Sequence, residues 1–91
     1  MPIVRWMRRA ALDLDGISKR IAIHSPASAE KLLRKMQAKA DALAGYPDMG
    51  RIGRVPGTRE LVVHQNYYRV YRVDGSTVKI LRVKHTSQQR R

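Results

Sequence analysis

The chain has 91 residues, too few to bury a second hydrophobic core, so residues 1–91 are expected to form one domain. Nineteen Lys and Arg against seven Asp and Glu give a formal net charge of +12, which favours polyanionic partners: nucleic acid, the ribosome or an acidic protein segment. Without Cys, a long apolar run or a signal-peptide pattern, the sequence excludes disulfides, thiol catalysis and a transmembrane helix, and we expect a cytoplasmic protein.

The first half of the chain is predicted to be helical after a short strand at Ile3–Trp6. Apolar residues then recur at spacings of four, three and four, which is one face of an α-helix: Ala10, Leu14, Ile17 and Ile21. Ser25 can cap a second helix and Pro26 suits its first turn, while Gly45 and Pro47 end it. Two helices so closely joined predict an antiparallel helical hairpin.

The second half is predicted to form strands at residues 61–63, 67–73 and 77–83, with a tight turn at Asp74-Gly75. The predicted fold class is therefore α+β, with an N-terminal helical hairpin packed on a small antiparallel β-sheet. The alternation of apolar and polar residues does not show which face of the strand at residues 67–73 is buried, because each face carries an Arg. Residues 86–91 are expected to be a polar tail.

Basic side chains supply the candidate binding residues. Arg51, Arg54 and Arg59 punctuate a loop containing Gly and Pro, where guanidinium groups can contact phosphates, although a solvated connecting loop is an equal alternative. Arg82 and Lys84 share an alternation face with the apolar residues of the last strand and can reach a bound anion or simply solvate the edge.

Three tyrosines lie on the strand at residues 67–73: Tyr67, Tyr68 and Tyr71. An exposed Tyr can stack on a base, and Tyr68 is included among the candidate target-binding residues. Half-buried strand tyrosines are more common, so we expect at least two of the three to pack in the core.

A catalytic interpretation would use Arg59, Arg82 and His85. Metal-free RNA cleavage needs a base for the 2′-hydroxyl, an acid for the leaving oxygen and cations for the charged intermediate. A surface histidine is the more ordinary interpretation of His85, because no partner is visible in the sequence. We predict no metal site and no cofactor, since three scattered His and few carboxylates show no ligand spacing.

The order of elements and several stretches of sequence resemble the RelE/ParE toxin superfamily across nearly the whole chain. The most specific stretches are Gly50-Arg51, residues 55–62 and Tyr71-Arg72-Val73. Similarity also extends to Trp6 and to residues 11–17, 25–30, 43–47 and 80–85. The resemblance implies a toxin bound by an acidic antitoxin, growth arrest when the toxin is free, and contact with operator DNA only through the antitoxin complex.

The superfamily has two branches, and the residues favour one. RelE-like members cut mRNA in the ribosomal A site, whereas ParE-like members interfere with DNA gyrase. By this resemblance, Tyr68 and Thr86 stand where RelE-like nucleases carry Arg, and no tail Tyr follows His85, which lies near a catalytic His of YoeB-like nucleases. Only Arg59 matches a basic catalytic position.

We therefore interpret the chain as a ParE-like toxin with an acidic antitoxin as its partner. Two alternatives stay open at this point: a ribosome-dependent mRNA endoribonuclease and a non-toxic basic module that binds nucleic acid.

Overall fold

A computed structural model of the chain describes residues 3–89. Two helices and five strands follow one another along it, and a single 3₁₀ turn closes the described part: β1 (Ile3–Trp6), α1 (Arg8–His24), α2 (Pro26–Gly45), β2 (Arg51–Ile52), β3 (Arg59–His64), β4 (Tyr67–Asp74), β5 (Thr77–His85) and the turn Thr86–Gln89. The 3₁₀ turn lies in the expected polar tail. Residues 90 and 91 of that tail lie outside the described residues.

The helical hairpin forms as the sequence predicts. Ser25 is the single residue between the two helices, and its side chain accepts a hydrogen bond from the Ser28 backbone N–H at 3.2 Å. Pro26 occupies the first turn of α2, where a missing backbone donor is tolerated. No helix within residues 3–89 is long and apolar enough to cross a lipid bilayer.

The five strands form one sheet in the order β1-β5-β4-β3-β2. The expectation of a purely antiparallel sheet is wrong at one edge, because β1 pairs with β5 in parallel. The two helices carry the chain from β1 across one face of the sheet, and the meander β3-β4-β5 leaves the outer edge of β5 free to accept β1. The expected loop also contains a short edge strand, β2, which pairs with Arg59 and Glu60.

A β-bulge in β5 reverses which side chains face the helices. Val70 of β4 pairs with Arg82 but the next residue pairs with Ile80, so Leu81 is an extra residue. Side chains of directly paired residues lie on the same face of a sheet. The side chains of Arg82 and Lys84 therefore leave the sheet on the face opposite the helices, although the Arg82 guanidinium still reaches Asp13 of α1. The prediction that they share a face with the buried residues Val78 and Ile80 is wrong.

The hydrophobic core lies between the hairpin and one face of the sheet. It is built from α1 and α2 together with β3, β4 and β5: Ala10, Ile17, Leu32, Met36, Ala40, Leu43, Val63, Tyr71, Val78, Ile80 and Val83. Tyr68 and Tyr71 are 3% and 0% exposed, which confirms that at least two of the three tyrosines are buried. Arg69 and Tyr71 face the helices, because Arg69 reaches Met36 of α2.

Candidate functional site

The second half of β5 is flanked by two clefts that contain most of the candidate residues. The first, here the edge cleft, encloses about 540 Å³ between α1 and the end of β5 and is lined by Leu12, Asp13, Gly16, Ile17, Arg20, Tyr67, Arg82, Val83, Lys84, His85 and Ser87. The second, here the loop cleft, encloses about 310 Å³ on the other face of the sheet and is lined by Arg54, Val55, Thr58, Glu60, Tyr68, Val70, Leu81, Arg82 and Lys84.

Asp13 joins α1 to β5 at the edge cleft. Its carboxylate accepts hydrogen bonds from Arg82 Nε at 2.8 Å, from Arg82 Nη2 at 3.3 Å and from the Val83 backbone N–H at 3.0 Å. Burial alone would raise the pKa of Asp13, but these donors outweigh it and hold the pKa below its ordinary value. Asp13 in turn raises the pKa of Arg82. The guanidinium is thus already neutralised within the chain.

His85 lies at the open end of the edge cleft with one ring nitrogen occupied. Its Nδ1 accepts a hydrogen bond from the Ser87 backbone N–H at 3.1 Å and lies 3.0 Å from Ser87 Oγ. A neutral imidazole whose Nδ1 accepts carries its hydrogen on Nε2. The Nδ1 atom of His85 is therefore already engaged within the chain.

Two histidines and a tyrosine form a row of rings across the sheet end. The rings of Tyr67 and His85 meet edge to face with centroids 5.4 Å apart, and those of His64 and Tyr67 are tilted with centroids 5.6 Å apart. His64 Nδ1 also accepts a backbone hydrogen bond, from Asn66. The row therefore packs and orders the ends of β3, β4 and β5.

Glu60 organises the loop cleft. Its side chain is 7% exposed, and it accepts hydrogen bonds from Arg51 Nη2 at 3.0 Å and from the Arg54 backbone N–H at 3.4 Å. Burial would raise the pKa of Glu60, but these two donors hold it below its ordinary value. The carboxylate therefore stays ionised and anchors the loop at residues 51–58 over the sheet.

The structure separates the predicted catalytic residues. Arg59 Nη1 donates to the Gly50 carbonyl at 2.7 Å and to the Asp48 carbonyl at 3.3 Å, outside both clefts. Arg59 pairs with Tyr71 and His85 pairs with Tyr67, four residues apart along β4. Four residues and two strand spacings separate them by roughly 16 Å. Arg82 and His85 share the edge cleft, but Arg59 does not join them.

The predicted binding residues are grouped more closely. Arg54, Tyr68, Arg82 and Lys84 line the loop cleft, and Arg51 reaches it through Glu60. Tyr68 is only 3% exposed, so its ring face is not available to stack on a base and the predicted stacking role is not met. Burial raises the pKa of Tyr68, which keeps its hydroxyl protonated.

Sequence reasoning missed three residues that line these clefts, Asp13, Arg20 and Glu60, and one buried cation of the core, Arg69. A signal existed for two of them, because Asp13, Gly16, Ile17 and Arg20 recur at helical spacing and lie on the face of α1 that lines the edge cleft. Glu60 and Arg69 carried no such signal. Their roles depend on β-sheet partners and on the loop that folds back over the sheet.

Arg69 is a buried cation that forms no ion pair with a carboxylate of the described residues. It is 0% exposed, and its Nη2 donates to the Met36 carbonyl at 3.0 Å, while Nε and Nη1 have no hydrogen-bond partner within residues 3–89. The guanidinium carbon lies 5.5 Å from the centre of the Trp6 ring. Burial lowers the pKa of Arg69 to about 10. This side chain therefore lowers the stability of the core that it occupies.

A helical hairpin on a five-stranded mixed sheet defines the chain as a toxin fold of the RelE/ParE superfamily. The sequence profile of a family described as "ParE toxin of type II toxin-antitoxin system, parDE" matches residues 4–90. The chain therefore belongs to the ParE toxin family of type II toxin–antitoxin systems.

Similar proteins support this assignment over nearly the full length. The chain is 40% identical over 87 residues to the putative toxin Y4kP of Sinorhizobium fredii, covering 94% of this chain and 90% of the relative. It is 36% identical over 88 residues to toxin RelE2 of Caulobacter vibrioides, covering 97% and 99%. A chain of the chromosomal ParDE toxin–antitoxin system from P. aeruginosa superposes with a TM-score of 0.82 at 29% identity, covering 93% and 96%.

Proposed function

We propose that this chain arrests growth by binding and impairing DNA gyrase, and that an acidic antitoxin neutralises it. The observation that carries the proposal is the separation of Arg59 from His85, with Arg82 neutralised by Asp13. A nuclease needs a base, an acid and a cation converging on one phosphodiester. Here each candidate is already engaged within the chain, which favours action by binding.

The charge of the molecule supports an acidic protein partner. With a net charge of +12, the chain attracts a negatively charged segment and speeds its association. The similar P. aeruginosa chain comes from a ParDE toxin–antitoxin system, which favours the same kind of partner here. Under this proposal the chain acts in the cytoplasm and contacts operator DNA only through the antitoxin complex.

The rival function is ribosome-dependent mRNA cleavage, and the observation in its favour is that Arg82 and His85 share the edge cleft. The 36% identity to a protein named toxin RelE2 is compatible with either branch. The hydrogen bond accepted by His85 Nδ1 argues against mRNA cleavage, because a general base needs a free lone pair.

Induction of the chain without an antitoxin separates the two functions. Growth, plasmid supercoiling and mRNA integrity are scored together for the wild type, for His85→Ala and for His24→Ala, a matched control at an exposed helix end. We expect growth arrest and loss of negative supercoiling, with intact mRNA, in all three. Ribosome-bound mRNA that is cut by the wild type and spared by His85→Ala would overturn the proposal.

A further inference from the structure

Tyr68 places a nearly buried hydroxyl group in the loop cleft. The residue is 3% exposed, and its hydroxyl forms no hydrogen bond with any residue in the range 3–89. The other buried tyrosine differs, because the Tyr71 hydroxyl donates to the Pro47 carbonyl at 2.7 Å and accepts from the Gly50 backbone N–H at 2.9 Å. Buried Tyr hydroxyl groups usually have a hydrogen-bond partner. The Tyr68 hydroxyl therefore points to a ligand that enters the cleft.

Several charged groups surround this hydroxyl. Burial raises the pKa of Tyr68, and the nearby Glu60 carboxylate raises it further, so the hydroxyl keeps its proton and can donate. Arg54 and Arg82 lie close enough to act in the opposite direction. Lys84 is the cross-strand partner of Tyr68 on β5, and side chains of directly paired residues lie on the same face of a sheet. The hydroxyl, a guanidinium and an ammonium group therefore converge on one cleft.

Ion pairs within the chain leave two cations of the cleft without a counter-ion. Arg82 is paired with Asp13, and the Glu60 carboxylate is paired with an arginine of the loop. Neither the Arg54 guanidinium nor the Lys84 ammonium group has an ion-pair partner in the part of the chain that the structure describes. Two unpaired cations beside a neutral donor suit one carboxylate, whose two oxygens together accept about four hydrogen bonds.

The surroundings of the cleft favour a single anionic group over a long polyanion. Arg72 and Lys79, the next cations along this face of β4 and β5, share the carboxylate of Asp74, so the unpaired charge does not continue along the sheet. A nucleic-acid backbone is bound by cations that neutralise several successive phosphates. A pocket for one side chain instead combines a few placed polar groups with apolar walls. The cleft of about 310 Å³ has such walls: Val55, Val70 and Leu81.

We propose that the loop cleft receives one carboxylate side chain of the target protein, bound by Arg54, Lys84 and the Tyr68 hydroxyl. The inference rests on the proposed action on gyrase and names the surface of the chain that meets it. Charge-assisted hydrogen bonds from the two cations hold the carboxylate, and the hydroxyl fixes its position. The apolar walls contact the methylene groups of the incoming side chain and exclude water, which strengthens these hydrogen bonds.

Binding of the purified chain to gyrase in the absence of DNA tests the cleft. We expect Tyr68→Phe, Lys84→Gln and Arg54→Gln each to weaken binding by about tenfold, since a hydrogen bond to a charged group contributes about that factor. Tyr46→Phe and Lys39→Gln remove the same groups from exposed positions outside the cleft and should bind as the wild type does. Unfolding midpoints of all five variants separate a loss of binding from a loss of folding.

A blocked tripeptide, Leu-Glu-Leu, tests the ligand chemistry without gyrase. We expect it to shift the NMR signals of the Tyr68 ring and of the amides of Arg54 and Lys84 in the full chain, whereas Leu-Gln-Leu should leave them in place. Equal shifts with the two peptides would overturn the inference, because recognition would then not depend on the carboxylate. Stronger binding of a short DNA duplex at the same signals would overturn it in favour of a phosphate backbone.

The two measurements distinguish the cleft from the target. Gyrase binding that none of the three cleft variants weakens refutes the role of the cleft and leaves gyrase as the target. Shifts at Tyr68 with Leu-Glu-Leu, in a chain that does not bind gyrase, refute gyrase as the target and leave the carboxylate site. Absence of shifts with Leu-Glu-Leu refutes the carboxylate site, whatever the chain does to gyrase.

Discussion

Replacement of Arg69 by Met should make the protein more stable. Two of the three guanidinium nitrogens have no hydrogen-bond partner in the part of the chain that the structure describes, and the side chain is 0% exposed. Each unsatisfied buried donor costs about 1–3 kcal/mol. Independently, the fall in the pKa of Arg69 from its ordinary value to about 10 corresponds to a penalty of about 3 kcal/mol on the charged form.

Three contributions reduce the gain from Arg69→Met. The variant loses the hydrogen bond to the Met36 carbonyl and the contact with the Trp6 ring, each about 1 kcal/mol, and Met fills slightly less space. The net expectation is a stabilisation of about 1 kcal/mol, or about 5 °C in Tm for a domain of this size. Urea and thermal unfolding followed by circular dichroism measure it.

The pH dependence of the Arg69→Met effect has a definite sign. The folded protein binds the Arg69 proton less tightly than the unfolded chain, so wild-type stability rises relative to the variant as pH increases above about 10. The advantage of the variant should be complete below that pH and shrink above it. Arg72→Met, on the exposed face of β4, is the control and should change stability by less than about 0.5 kcal/mol. An unfolding midpoint of Arg69→Met at or below the wild-type value would refute the reasoning.

Two further substitutions test the packing around the clefts. Asp13→Asn should lower the free energy of unfolding by about 1–2 kcal/mol at neutral pH. Because the pKa of Asp13 is lowered in the folded protein, the greater stability of the wild type is present above about pH 4 and disappears as the pH falls through the folded pKa. Urea unfolding curves of the two proteins that coincide at pH 7 would contradict the ion pair. Gly50→Ala should destabilise the protein by about 1–3 kcal/mol, since the added Cβ would lie 2.8 Å from the Glu60 carbonyl oxygen and 2.9 Å from the Tyr71 hydroxyl. The control Gly45→Ala has open space around its Cβ and should not destabilise the protein. Equal Tm values for the two variants would contradict the close contact at Gly50.

Local patterns in the sequence predict the helical half well. The apolar spacing through Ile17 and the Ser25-Pro26 cap are both encoded within a few residues, and both appear in the structure as expected. The three longer strands and the tight turn at Asp74-Gly75 are local features of the same kind, with Gly75 at a φ of 59°.

Features that depend on distant parts of the chain were not predictable from local patterns. The parallel pairing of β1 with β5 joins segments more than 70 residues apart, and alternation within Ile3–Trp6 carries no information about its partner. The bulge at Leu81 is set by the pairing of β4 with β5, and it reversed the predicted faces of Arg82 and Lys84. Strict alternation is therefore reliable only up to the first register shift.

The candidate site was predicted as a set of cations without their counter-ions. Arg51 and Arg82 were identified from composition and position, but each is paired with a carboxylate, Glu60 or Asp13, that the sequence did not connect to it. These pairings decide what the cations do, because a guanidinium already bound to a carboxylate within the chain is less available for catalysis. The burial of Tyr68 likewise depends on the loop at residues 51–58, which a strand pattern does not show.

We propose that the free chain acts by binding gyrase and cleaves no RNA. Purified wild-type chain titrated into a supercoiling reaction with relaxed plasmid and gyrase tests it most directly. We expect supercoiling to fall as the chain is added and to recover when the acidic antitoxin is supplied. Unaffected supercoiling at all concentrations, alongside cleavage of mRNA on purified ribosomes by the same preparation, would contradict it.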